Sequence, residues 1–405
     1  MSMRISTSTF HDVGYRTIAK NQTDLLKLQN QFSSGKRINS AADDPVGAMR
    51  AAELNAAKSV NDQFNRNQLY AQNSLGFLDG IVGDIDDVMQ TMRETLVAAG
   101  NGALSPADKK SLGIQLRSKL DELLRLSNSK DESGRHIFAG FSDASTPFNL
   151  VGGILTYQGD NGVRQLPVSA TTNVPLNISG SELFLDVRSG NGVIQTAAAP
   201  GNTGTGLING GSVVNAAALT DDNFEVRIRD VSGTLVYDVV NTTTSTTLVN
   251  GATYSPGASI MVGPALSVSI TGTPANNDIF SVQPAQTQNV FQSIDRVIRA
   301  LDDFSAGTIS NAALTDRLRI ATANLDQSYE QVLTARNRIG NTMQELERQA
   351  DINSRKDIEL QTRISEIVDV DTIKAVTELS KTQAALEASQ ALYSSIAKRN
   401  LFDYL

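Results

Sequence analysis

The side chains that most often carry out chemistry in proteins are scarce in this chain. Cysteine is absent, and the two histidines are His11 and His136. A thiolate zinc site, a disulfide framework and a cysteine nucleophile are therefore excluded. Two histidines so far apart in sequence offer little material for an acid–base triad or a histidine-rich metal site. We expect His136, beside Ile137 and Phe138, to be a packed residue rather than a ligand.

Residues 33–48, with the sequence SSGKRINSAADDPVGA, are the densest group of polar side chains that could form a site. Their Gly-Lys pair suggests phosphate binding, but an asparagine stands where a P-loop needs its first glycine. Asp43 and Asp44 could act as a catalytic pair of carboxylates. The proline that follows, Pro45, favours a different interpretation, a carboxylate helix cap with proline in the first turn. We therefore predict that Asp43, Asp44 and Pro45 begin a helix.

Two further candidates for ligand sites are equally weak. Asp369 and Asp371 lack the other oxygen ligands of a calcium loop, and one of them is better explained as the cap of the last helix. Gly204, Gly206 and Gly210 do not fit the dinucleotide-binding fingerprint. We therefore predict that the protein is not an enzyme and has no cofactor and no metal site.

Composition and charge exclude other classes of protein. The 405 residues carry 35 basic and 43 acidic side chains, a net charge of −8, which argues against nucleic-acid binding. No apolar run approaches the 18 residues of a membrane span, so we expect no membrane partner. The N-terminal sequence lacks the apolar core of a secretory signal. The length predicts two or three structural units.

Proline and glycine divide the chain into three zones. Eight of the ten prolines lie between Pro147 and Pro284, and residues 131–286 hold 19 of the 30 glycines. We predict a mainly α fold with a β-rich insertion. In it the two flanks form an elongated antiparallel coiled-coil-like helix bundle around a central β domain.

The flanks show the spacing of long packed helices. After Pro45, apolar residues recur at intervals of three and four over about 55 residues, interrupted by Asn61 and Gln68, and Leu318 to Leu346 show a matching stripe. Shorter helices are predicted from Ser105-Pro106 and over about 287–304. In the middle zone, alternating apolar residues predict strands at 224–229, 235–239 and 266–270.

Each end of the chain is predicted to be one amphipathic helix with a narrow apolar seam. Four buried apolar side chains supply on the order of 6–12 kcal/mol, whereas ordering about 28 residues costs about 1–2 kcal/mol each. Each helix therefore needs a partner, from the opposite terminus or from another molecule. The predicted N-terminal seam consists of Ile18, Leu25, Leu28 and Phe32, and the predicted C-terminal seam of Ala375, Leu379, Leu386, Tyr393 and Ile396.

Several motifs resemble those of the flagellin superfamily. They are MRISTSTF at 3–10, SSGKRINSAADDPVGA at 33–48, GRHIFAGF at 134–141, NDIFSVQPA at 277–285, ARNRIGNTMQELE at 335–347 and LEASQALYSSIAKRNLFDYL at 386–405. The resemblance covers residues 1–145 and 280–405. The Asp-Asp-Pro triplet at 43–45 and the ending LFDYL at 401–405 are similar to the members that connect hook and filament.

The resemblance implies an organisation in three parts. Residues 1–44 and 370–405 would be terminal helices forming the inner-tube coiled coil. Residues 45–140 and 285–369 would be the elongated helix bundle, and 141–284 a variable β-rich insertion domain. The terminal helices would order on polymerisation.

The resemblance also implies a structural adaptor that joins the hook to the flagellin filament. Its partners would be hook-associated protein 1, flagellin, further copies of itself and a flagellar export chaperone. Its location would be the extracellular flagellum, reached through the flagellar channel without a cleaved signal peptide. Two alternatives stay open: a minor flagellin that forms filaments itself, and a carbohydrate-binding or enzymatic domain within 141–284.

Overall fold

Along the chain, helical flanks precede and follow a β-rich middle in the computed structural model, which describes residues 7–152 and 154–397. The predicted fold class, mainly helical with a β-rich insertion, is confirmed. The helices are Thr7–Ser34 (α1), Pro45–Ala99 (α2), Pro106–Ser127 (α3), Gly180–Phe184 (α4), Val290–Ser305 (α5), Asn311–Val368 (α6) and Thr372–Ala397 (α7).

The strands lie between α3 and α5. They are Phe148–Val151 (β1), Ile154–Tyr157 (β2), Gln165–Pro167 (β3), Asn173–Pro175 (β4), Val187–Arg188 (β5), Ile194–Ala198 (β6), Leu207–Ile208 (β7), Ser212–Val213 (β8), Phe224–Val231 (β9), Thr234–Asn241 (β10), Thr246–Thr253 (β11), Ser259–Val262 (β12), Leu266–Thr271 (β13), Ile279–Pro284 (β14) and Thr287–Gln288 (β15).

Contacts divide the chain into two compact units. One comprises the described residues up to Asn67 together with those from Arg348, and the other comprises Gln68–Glu347. This division groups the start of α2 and the end of α6 with the terminal helices. The predicted organisation in three parts differs from it and stays a prediction.

Within the unit Gln68–Glu347, α2 and α6 run antiparallel. Arg336 pairs with Asp86 at 2.9 Å, and Arg93 pairs with Asp326 at 2.6 Å. The apolar residues at three- and four-residue spacing face inward and are almost fully buried, as their period predicts. They are Ala71, Leu75, Leu78, Val82, Ile85, Met89, Met92 and Leu96 on α2, and Leu318, Ala321, Leu325, Val332, Ala335, Ile339 and Leu346 on α6.

Two shorter helices complete this bundle. A reciprocal capping box of Ser105 and Asp108 begins α3, as the sequence indicates. Helix α5 begins at Val290 rather than at 287, because Thr287–Gln288 pair with Val187–Arg188 as strands.

The first part of the predicted insertion packs into the core of these helices. The ring centroids of Phe148 and Phe184 lie 5.3 Å apart, and that of Phe291 on α5 lies 5.6 Å from Phe148. Phe138 contacts Phe184 in the same cluster at 5.6 Å. Nearby His136 is buried, with Nδ1 2.9 Å from the carbonyl oxygen of Asn128, so the prediction of a packed histidine is confirmed. The insertion is therefore not separate from the bundle throughout its length.

The rest of the insertion is a β-sandwich with its own core. One sheet has the order β11-β10-β9-β14-β6, and the other has the order β12-β13-β7 with β8 also paired to β13. The predicted alternation is confirmed in β9, where Phe224, Val226 and Ile228 are buried. Ser232 and Gly233, at φ 55° and 83°, form the two-residue turn into β10, and positive φ at both positions matches the twist of a hairpin.

Candidate assembly surface

Helices α1 and α7, at the two ends of the described chain, pack against each other as an antiparallel pair. This pair is called the terminal hairpin, although its helices are not consecutive in sequence. Asn21 donates from Nδ2 to Oγ of Ser389 at 3.2 Å. At one end, the rings of His11 and Tyr393 meet edge to face with centroids 5.6 Å apart. At the other, the backbone N–H of Val370 donates to the carbonyl of Gly35 at 2.9 Å. In this structure each terminal helix therefore packs against the opposite terminus of the same chain.

Most predicted seam residues lie between the two helices. Ile18, Leu25 and Leu28 are half-buried on α1, and Ala375 is buried on α7. Leu379, Leu386 and Tyr393 are likewise half-buried. Phe32 departs from this pattern and is 49% exposed, in the last turn of α1, at the end of the pair where α7 begins. Ile396 lies in α7, but its side chain is outside the described part of the chain.

The seam also contains polar and small residues that the apolar stripe did not predict. Further half-buried members are His11, Gly14, Asn21, Thr382 and Ser389. A Cβ on Gly14 would come within 2.9 Å of the Tyr393 ring, so glycine leaves space for that ring. Extending the three-and-four spacing from Ile18 and Leu386 would have found these positions regardless of residue type.

Of the two aspartates in the predicted helix cap, Asp44 caps the helix and Asp43 does not. Oδ1 of Asp44 accepts from the backbone N–H of Gly47 at 2.9 Å, one turn into α2 that begins at Pro45. Asp44 is therefore the N-cap. The hydrogen bond from Gly47 and the Arg37 guanidinium lower the pKa of Asp44.

Asp43 instead holds the loop that precedes α2. Its Oδ2 accepts from the backbone N–H groups of Asn39 and Ser40 at 3.2 and 3.0 Å, and Lys27 on α1 approaches Oδ1 at 3.2 Å. The hydrogen bonds from the backbone of Ser40 and from the Lys27 side chain lower the pKa of Asp43. The two aspartates thus fix the loop 35–44 between α1 and α2.

The same loop is tied to the junction of α6 and α7. Arg37 donates from its backbone N–H to the carbonyl of Val368 and from Nη2 to that of Ile367, both at 2.7 Å. Oδ1 of Asp371 accepts from the backbone N–H of Lys374 at 3.1 Å, so Asp371 is the N-cap that separates α7 from α6. Arg37, Asp43 and Asp44 therefore hold this loop against the start of α2 and the end of α6.

Where α2 and α6 adjoin this hairpin within the same unit, their seam is polar. Asn61 donates from Nδ2 to the carbonyl of Asn353 at 2.9 Å, and both side chains are buried. Gln349 donates to Oδ1 of Asn353 at 3.1 Å, and Lys58 pairs with Asp357 at 2.6 Å. Oδ1 of Asn61 is buried and has no protein partner. A buried polar pair of this kind specifies register at a cost in stability.

The outward faces of the hairpin expose large apolar side chains. Ile373 is 80% exposed on α7. Others on the same two helices are Val13, Tyr15, Leu26, Val376 and Leu392. Exposed apolar side chains in this number are typical of surfaces that contact other proteins.

Within residues 7–152 and 154–397, no three His, Asp or Glu side chains are grouped so that they could hold a metal ion. None of the helices described in those ranges has the length and apolar character needed to cross a membrane.

Comparison with known proteins matches both flanks of the chain. Residues 5–143 match the bacterial flagellin N-terminal helical region, and residues 322–405 match the bacterial flagellin C-terminal helical region. Together with the paired terminal helices, these matches show that the chain belongs to the flagellin family.

Within that family the chain is similar to flagellar hook-associated protein 3. It is 34% identical to that protein of Salmonella typhimurium over 187 residues, which are 46% of this chain and 58% of the relative. The chain thus spans less than two thirds of the length of this relative. The crystal structure of flagellar hook associated protein-3 from Legionella pneumophila superposes with a TM-score of 0.74 and 25% identity, covering 78% of this chain and 98% of that one.

A flagellin is also similar along nearly the whole chain. Polar flagellin C of Vibrio parahaemolyticus is 23% identical over 399 residues, 97% of this chain and 96% of the relative.

Proposed function

We propose that the protein is a structural adaptor of the bacterial flagellum that joins the hook, through hook-associated protein 1, to the flagellin filament. The terminal hairpin carries this proposal, because its seam is half-polar and its outer faces expose Ile373 and other large apolar side chains. Neighbouring subunits would bury those faces, and the terminal helices would gain their full order on polymerisation. Further copies of the chain and an export chaperone would be its other partners, and the flagellum outside the cell its location.

A substitution at Ile373 can separate an effect on the joining of hook and filament from an effect on folding. The side chain is 80% exposed, so Ile373→Asp leaves the isolated protein without a buried charge. In the assembly the carboxylate would lie in a covered apolar face, where an unpaired charge costs several kcal/mol. Val231→Asp, at a 49% exposed position in β9 of the sandwich, is the matched control.

The test is complementation of a strain from which the gene has been deleted. Electron micrographs of Ile373→Asp cells should show hooks without filaments, with unpolymerised flagellin in the medium, while Val231→Asp cells should carry normal filaments. Full filaments with Ile373→Asp would contradict the role of this face. Hooks that retain filaments in the deletion strain itself would contradict the adaptor function.

The alternative, a minor flagellin, is favoured by the similarity to polar flagellin C along almost the whole chain. A minor flagellin polymerises by itself. Long filaments formed by the purified protein without hooks or flagellin would therefore support this alternative over the adaptor.

A further inference from the structure

A cleft of about 490 Å³ lies where the first part of the insertion meets α5 and α6. This volume is within the range of about 300–1,000 Å³ typical of small-molecule sites. Its lining combines an apolar side, with Leu155 and Tyr157 of β2, and a side rich in amides, including Gln195, Gln292 and Asn324. All of these residues belong to the unit Gln68–Glu347.

A series of three hydrogen bonds runs along the wall of this cleft, and in each of them one residue donates to the next. The backbone N–H of Gly190 donates to Oδ1 of Asn324 at 2.8 Å, and Nδ2 of Asn324 donates to Oγ of Ser293 at 3.1 Å. Ser293 in turn donates to Oε1 of Gln288 at 2.7 Å. The series ends at Nε2 of Gln288, which is buried and has no protein partner. A buried donor left unpaired is costly. The Gln288 side chain lines the cleft and is only half-buried, so turning its amide toward the cleft would let Nε2 meet an acceptor from a ligand.

The charge of the lining is positive, although the protein as a whole is acidic. Arg296 is the only charged residue among the described residues that line the cleft, and its side chain is exposed. Within the described part of the chain, Arg296 makes no ion pair and no side-chain hydrogen bond, whereas the neighbouring Arg299 pairs with Asp295 at 2.7 Å. An exposed cation without an ion-pair partner favours an anionic ligand, although the net charge of the chain is −8.

We propose that this cleft binds an acidic sugar of the uronic acid class, free or at the end of an oligosaccharide. Its carboxylate would accept from Arg296 and, once the Gln288 amide turns toward the cleft, from Nε2 of that side chain. Amide side chains both donate and accept, so Gln195 and Gln292 suit the hydroxyl groups of a sugar. The apolar face of the ring would pack against Tyr157. A simple carboxylate would leave these amides without a role.

Arg296→Gln is the variant that separates binding from folding, because the side chain is exposed and makes no ion pair or hydrogen bond within the described part of the chain. Arg125→Gln makes the same charge change at an exposed position of α3 outside the cleft and is the matched control. Thermal unfolding followed by circular dichroism checks that both variants keep the stability of the parent.

Binding is measured on the full chain by saturation-transfer NMR and calorimetry with glucuronate, galacturonate, glucose and acetate. We expect both uronates to bind and glucose and acetate to bind at least about tenfold more weakly, with a similar loss of uronate affinity in Arg296→Gln. Arg125→Gln should bind like the parent. Absence of uronate binding, equal binding of acetate, or unchanged affinity in Arg296→Gln would each overturn the proposal. None of these results bears on filament joining, which is tested separately.

Discussion

Two deletions of different length distinguish the separable part of the insertion from the part that belongs to the helix bundle. The shorter one replaces residues 190–285 with Asn-Gly. Ser189 and Gln286 face each other, with the backbone N–H of Ser189 donating to the carbonyl of Gln286 at 2.8 Å, and they continue the β5–β15 pair. A two-residue turn therefore closes the gap with the backbone twist of a hairpin.

The shorter deletion removes three hydrogen bonds between the sandwich and α6. These join Asn324 to Gly190, Asp316 to Ala198 and Arg319 to Thr196, at 2.8, 2.9 and 2.7 Å. A net contribution of about 1 kcal/mol for the neutral bond and about 1.5–3 kcal/mol for each of the two bonds to a charged group gives a loss of about 4–7 kcal/mol at most, because the freed groups then face water. The helix bundle should keep a cooperative melt.

The longer deletion, of residues 145–280, removes side chains from the core of the bundle itself. Six of them are almost fully buried there: Phe148, Val168, Val174, Ile178, Leu183 and Phe184. At about 1.5–3 kcal/mol each they represent about 9–18 kcal/mol, which equals or exceeds the usual stability of a domain, about 5–15 kcal/mol. This variant should lack a cooperative helical transition.

Both purified variants are compared with the parent by thermal unfolding at 222 nm and by limited proteolysis. The reasoning fails if the shorter deletion abolishes the cooperative transition. It also fails if the longer deletion melts within a few degrees of the parent, since the six side chains would then contribute little to the bundle.

Three further predictions concern single side chains. Val82→Asp, at a fully buried position, should lower the melting temperature of the purified protein, whereas Leu386→Asp, at a half-buried position, should barely change it; equal losses would contradict this difference. Asn61→Leu removes a buried amide whose Oδ1 has no protein partner and should raise the free energy of unfolding by about 1 kcal/mol. The measurement is urea unfolding, and a lower midpoint urea concentration for the variant would contradict this prediction. The pKa of Asp44 in the folded protein lies below its ordinary 3.8, so the stabilisation that Asp44 supplies is complete above pH 3.8 and is lost as pH falls through the folded pKa. Asp44→Asn should therefore lose less helical signal than the parent below about pH 4. Parallel acid-unfolding curves for the two proteins would refute Asp44 as the N-cap of α2.

The helices could be predicted because their signals are local. The apolar spacing from Leu75 to Leu96 predicts a buried face, and the capping residues Asp44 and Ser105 predict where α2 and α3 begin. The alternation of Phe224, Val226 and Ile228 similarly predicts β9. Each of these signals lies within a few residues of the feature that it predicts, so no knowledge of a distant partner is needed.

The contacts of the insertion could not be predicted in the same way. Phe148 and Phe184 lie in a segment rich in glycine and hydroxyl residues, and their partner Phe291 is more than a hundred residues away along the chain. Nothing in the short strands β1 to β5 indicates whether they pack against helices or against the sandwich. The sheet order β11-β10-β9-β14-β6 likewise joins strands that are not consecutive, and its long-range pairs leave no local pattern.

The polar residues of the terminal seam were missed for a different reason, since a search for apolar stripes passes over them. Asn21 and Ser389, which are hydrogen-bonded to each other, occupy positions where a stable two-helix coiled coil would carry leucine or isoleucine. Their hydrogen bond specifies the pairing of α1 with α7 but contributes only about 1 kcal/mol net, less than two buried apolar side chains would. Gly14 weakens α1 further, by about 1 kcal/mol relative to alanine. A hairpin built in this way is specific but weakly stable alone, so the burial of Ile373 and the other outward apolar side chains by neighbouring subunits would supply the remaining stability.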